Sequence, residues 1–85
     1  MESHFIIGIH AKNRLAQACV VQNLLTEYGC NIRTRIGLHS VADGVCPLDG
    51  VIVLEMFGNL ETCEELFQKL SAIENLDVQK MIFPR

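Results

Sequence analysis

The chain has 85 residues, 49% of them apolar and 20% charged, with a formal net charge of −3. That length holds one domain, residues 1–85, and that apolar share fills a core, which excludes a disordered chain. The slight negative charge comes with no basic stripe, which argues against a direct nucleic-acid role.

The longest apolar run, Gly50 to Leu54, is far too short to span a bilayer. Met1-Glu2-Ser3-His4 lacks a basic leader, so no signal peptide is expected and the expected location is cytoplasmic. The four cysteines, Cys19, Cys30, Cys46 and Cys63, show no spacing typical of a zinc or iron–sulfur site. They read as reduced thiols, with Cys19 and Cys63 acting as small apolar residues within helical patterns.

In chain order, His4 to Ile9 is a β-branched, nearly continuous apolar run, as expected for a strand buried on both faces. Ala11 to Arg14 turn the chain, and Asn13 suits a helix N-cap. From Arg14 to Tyr28, Leu15, Ala18, Val21, Leu25 and Tyr28 recur at helical steps on one face. Gly29 follows where a left-handed C-cap is expected.

Asn31 to His39 then alternates, with Ile32, Thr34, Ile36 and Leu38 on one side and Arg33, Arg35, Gly37 and His39 on the other. That pattern predicts an edge strand. Ser40 to Asp49 is a loop broken by Asp43-Gly44 and Pro47. Val51 to Phe57 is a second doubly apolar strand. Asn59 caps a second helix with Glu61, Glu64 and Glu65 in its first turns and a stripe of Leu60, Cys63, Leu66, Phe67, Leu70 and Ile73. A turn at Asn75 leads into a last strand, Leu76 to Phe83, stopped by Pro84.

The order βαββαβ predicts an α+β, ferredoxin-like sandwich: a four-stranded antiparallel sheet in the order 4-1-3-2 with two helices on one face. The two doubly apolar strands fall at the centre of that order and the two mixed strands at its edges. Two helices cover one face only. The alternation leaves Ile6, Gly8, Val51, Val53, Phe57, Met81 and Phe83 on the other, and so much uncovered apolar surface predicts a homo-oligomer, dimer or tetramer, through the open face or an edge strand.

The candidate site residues gather near the first strand–helix turn. His10, Lys12, Asn13 and Arg14 stand where the free N–H groups of a helix start attract an anion, or else Lys12 and Arg14 are ordinary solvated basic residues; the turn has no glycine and so is no phosphate loop. Arg35, beside Arg33, offers a guanidinium fork for a carboxylate or phosphate, or else a charge that keeps an edge strand from aggregating. His10, His39 and Cys46 form a weaker metal-binding alternative with no supporting spacing. Nothing in the local sequence suggests catalysis, so no enzyme is expected. An acylphosphatase-like hydrolase ranks last, because Arg14 lacks the glycine-rich loop such an enzyme carries. No cofactor is specified.

The stretch Val21 to Gly29, ending Glu27-Tyr28-Gly29, is followed by Arg35-Ile36-Gly37, then by Gly50 to Gly58 and Val78-Gln79-Lys80. Over nearly the whole chain this resembles the small ACT-like proteins known as iron-only hydrogenase system regulators. Thr34 stands where that family commonly has glycine, and His39 where it commonly has proline. The resemblance implies an ACT-like ferredoxin fold, oligomerisation and a regulatory role. It names no ligand. The amino-acid pocket of typical ACT domains needs a glycine in the first strand–helix loop, which this chain lacks.

Overall fold

The structure, a computed structural model, describes residues 3–11, 14–38 and 50–84, with the side chains of residues 14–18 and 38 outside the description. The elements run β1 (Ser3–Ala11), α1 (Arg14–Glu27), a 3-10 turn (Gly29–Asn31), β2 (Ile32–Leu38), β3 (Gly50–Met56), α2 (Leu60–Ser71) and β4 (Leu76–Pro84). The strands form one antiparallel sheet in the order β2-β3-β1-β4. This is the expected ferredoxin-like arrangement, with the two strands of densest apolar character at its centre.

Strand alternation divides the molecule into a dry side and an open side. Phe5, Ile7 and Ile9 of β1 and Leu54 and Met56 of β3 point to the helices. There they meet Val21 and Leu25 of α1, Tyr28 just beyond it, and Cys63, Leu66 and Leu70 of α2. All are buried, and burying each large apolar side chain stabilises the fold by about 1.5–3 kcal/mol. Asn59 caps α2 as expected, its side chain accepting a hydrogen bond from the Glu61 N–H at 2.7 Å.

Polar contacts on the dry side tie the layers together. The Tyr28 hydroxyl donates to Glu65 Oε1 at 2.6 Å, while Lys69 lies 3.4 Å from Glu65 and 3.9 Å from Glu27. Lys80 of β4 donates to both carboxylate oxygens of Glu64 on α2 at 2.7 Å, with its ammonium 4.6 Å from the Phe67 ring centroid.

Four expectations change. Gly29 takes no left-handed conformation: the Asn31 N–H donates to the Tyr28 carbonyl at 2.8 Å, and the helix tightens into a 3-10 turn instead of reversing. Positive φ occurs at Gly58 and Asn75. Leu60 opens α2 with 46% of its surface exposed, so the apolar stripe starts at Cys63. Cys19 is exposed and does not serve as a core residue.

The fourth change is in β2. A bulge between Ile32 and Thr34 puts Arg33 out of register with β3, so the alternation does not run unbroken. Ile32 lies opposite Met56 and packs against the core, whereas Thr34 and Ile36 lie opposite Glu55 and Val53 on the open side. Phe57, assigned to the open face by alternation, falls just past the end of β3, with the Arg33 guanidinium 4.9 Å from its ring centroid.

Candidate functional site

The open side of the sheet carries a shallow hollow of about 290 Å³. Its floor comes from neighbouring positions on the central strands: Ile6 and Gly8 of β1, Val51 and Val53 of β3. The cross-strand register explains the shape. Gly8 sits between Val53 and Gln79, and because it has no side chain the sheet surface dips there. A Cβ built on Gly8 would come no closer than 4.0 Å to the Gln79 carbonyl oxygen, so the dip is open space.

The rim is polar at one end and apolar at the other. His10, near the end of β1, lies directly across from Asp77 of β4, and Gln79 follows two residues along on the same face. Met81, half exposed, closes the opposite end beside Ile6. An imidazole, a carboxylate and a carboxamide at the edge of an apolar floor can orient a small amphipathic molecule, or the side chain of a docking protein. The volume lies at the small end of ligand-binding cavities, which run upward from roughly 300 Å³.

His10 belongs to this hollow. Arg35 does not. It lies opposite Leu54 and so projects from the helix-side face at the β2 edge, exposed to solvent, while His10 projects from the other face. A single chain therefore does not bring these two residues together. Arg14 opens α1, but its side chain lies outside the described residues, as do Lys12, Asn13, His39 and Cys46. Among the described residues no group of three or more His, Cys, Asp or Glu is placed to hold a metal ion.

Asp77 and Gln79 escaped notice in the sequence. The signal was present, because period-two alternation from Met81 and Phe83 leads straight back through Gln79 to Asp77. What hid them was that only the apolar members of that row were counted as a surface. The Tyr28–Glu65–Lys69 cluster was also missed. Its only local trace is the four-residue spacing of Glu65 and Lys69.

Burial pushes the Cys63 thiol above its ordinary range. The hydrogen bond from Tyr28, helped by Lys69, holds the Glu65 carboxyl below its ordinary value, and the same bond raises Tyr28. These shifted groups all lie on the helix side and none borders the hollow.

No protein-family model matches the sequence, and no curated protein matches it. Among solved structures, the chain is similar to an uncharacterized protein from Thermotoga maritima, with a TM-score of 0.79 and 23% identity over 95% of this chain and 98% of that one. At that identity the likeness establishes the shared fold. Among the described residues no helix is long and apolar enough to cross a membrane.

Proposed function

We propose that this chain is an ACT-like regulatory module that works as a homo-oligomer and uses the open face of its sheet to take a small ligand or a protein partner. The observation that supports this reading is the open face itself. A sheet covered by helices on one side only leaves Ile6, Val53, Ile36 and Met81 facing away from the core, and Ile36 and Met81 are about half exposed. A chain this short gains needed stability by burying such a surface against another molecule. The resemblance to regulators of the iron-only hydrogenase system points the same way and suggests that system as the setting.

The hollow shapes the ligand half of the proposal. Its apolar floor and its His10–Asp77–Gln79 rim favour a small molecule with an apolar body and a hydrogen-bonding head. Native mass spectrometry of freshly purified protein, without added ligand, tests both halves at once. A dimer or larger species carrying extra mass is expected. A bare monomer at every concentration overturns the reading.

A further inference from the structure

The register puts Gly8 at the centre of a square of residues on the open side. Ile6 and His10 are its same-face neighbours along β1, and Val53 of β3 and Gln79 of β4 lie directly across from it. Val51, Asp77, Met81 and Glu55 occupy the corners. All of these border the hollow except Glu55, whose carboxylate accepts a hydrogen bond from Thr34 Oγ1 at 2.9 Å, toward the β2 edge.

The square is polarised along one diagonal. Asp77 stands at one corner with His10 and Gln79 on either side of it, while Ile6, Val53 and the backbone of Gly8 make the body of the floor. Among the described residues, Asp77 is the one carboxylate bordering the hollow, and it has no hydrogen-bond or ion-pair partner. The described lysines and arginines are committed elsewhere. Lys80 turns its ammonium to Glu64 on the helix side, Lys69 is held by Glu27 and Glu65, and Arg35 projects from the helix-side face. Arg33 lies over Phe57 at the β2 edge. That edge is three strand spacings of about 4.8 Å from β4, farther than the roughly 8–10 Å over which exposed charges feel one another in salt.

We infer that the hollow takes a small primary amine bearing one flat apolar ring, with the ring over Gly8 and the ammonium at Asp77. This rests on the ligand half of the function proposed above, and it names the class. An ionised carboxylate accepts hydrogen bonds and donates none, so it selects a donor. An ammonium brings three donors and the opposite charge, and the Gln79 carbonyl is a second acceptor beside the first. An anionic head at the same corner meets Asp77 with no described cation to offset it, and the net charge of −3 works in the same direction. The body follows from the missing side chain. A planar ring settles into a dip one side chain deep, between Ile6 and Val53, whereas a branched body is held off the floor by them.

The test is a heteronuclear NMR titration of nitrogen-labelled protein with two probes of matched body and opposite charge, phenethylamine and hydrocinnamate, at millimolar concentrations. Phenethylamine is expected to shift the amides of Gly8, Val53, Asp77 and Gln79 saturably, and to bind at least about fivefold tighter than hydrocinnamate, since Asp77 attracts one head and repels the other. Asp77→Asn keeps the shape of the corner and removes its charge. It is expected to weaken the amine at least about threefold and to narrow the gap between the probes. Gly8→Val fills the dip and is expected to abolish the shifts from phenethylamine, with the dispersion of the remaining amides showing that the chain is folded.

Hydrocinnamate bound as tightly as phenethylamine, or amine binding that Asp77→Asn leaves unchanged, overturns the amine class while the hollow stands as a ligand site. Shifts confined to residues away from the hollow, or none with either probe, overturn the inference altogether. The broader ligand reading fails separately, on a native mass spectrum that shows no retained mass.

Discussion

The Tyr28 hydroxyl, on a ring buried under α2, donates to Glu65 Oε1 at 2.6 Å, and Lys69 stands 5.1 Å from the centroid of the same ring. One phenol thus links the end of α1 to the middle of α2. Its hydrogen bond is the leading cause of the lowered Glu65 value, with Lys69 adding to it. A carboxylate held below its ordinary value of 4.5 stabilises the fold above that pH and loses its contribution as pH falls through the lowered folded value. Tyr28, raised above 10.0, contributes below that pH and loses its part as pH rises past the raised value. Tyr28→Phe is therefore expected to lower the thermal midpoint at neutral pH and to converge with the wild type in the acid range. Parallel melting curves across that range would contradict this account.

Gly58 links the end of β3 to α2 at φ 100°, a conformation that side-chain-bearing residues rarely adopt. A Cβ there would also stand 2.8 Å from Asn31 Nδ2, which donates to the Phe57 carbonyl at 3.1 Å. Gly58→Ala is expected to cost about 1–3 kcal/mol in urea unfolding. Adding Asn31→Ala relieves the collision and leaves the backbone strain, so the double variant is expected to recover only part of that loss.

Leu60 and Leu66 belong to the same helical stripe in sequence, yet one is 46% exposed and the other fully buried. Leu66→Ala is expected to cost about 2–5 kcal/mol, the range for a large core side chain cut to a methyl group. Leu60→Ala should stay within about 0.5 kcal/mol, as ordinary surface changes do. Denaturant midpoints for the pair decide whether the stripe or the burial governs.

The thiols divide in the same manner. Cys63 is buried and its thiol is pushed up by that burial, while Cys19 and Cys30 are exposed. A thiol reagent followed by peptide mapping is expected to label Cys19 and Cys30 in the native protein and Cys63 only after unfolding. Rapid native labelling of Cys63 would show that α2 opens readily from the sheet.

These contrasts show where sequence patterning reads well and where it stops. The strand order was legible because β1 and β3 carry apolar residues at consecutive positions, which only a central strand tolerates. The cap at Asn59 and the turn at Asn75 were legible because their side-chain chemistry is local. The bulge at Arg33 was not, since it depends on how β2 meets β3, and one extra residue transfers Thr34 and Ile36 to the other face relative to Ile32. Gly29 misled for a related reason: glycine permits a left-handed cap without requiring one. Of the candidate site, His10 is placed beside a hollow, and its neighbours there come from β4, nearly seventy positions further along the chain and beyond the reach of local motifs.

The dip at Gly8 sets one more property of this surface. Its depth is fixed by a missing methyl group and not by the packing beneath, because the core residues under it, Ile7 and Ile9, face away. Alanine fits there without contact closer than 4.0 Å, so the hollow can be made shallower at one position while the buried layer stays as it is. For the ligand role proposed above, the shape of this face is thereby adjustable at Gly8 with no change to the buried layer that holds the fold together.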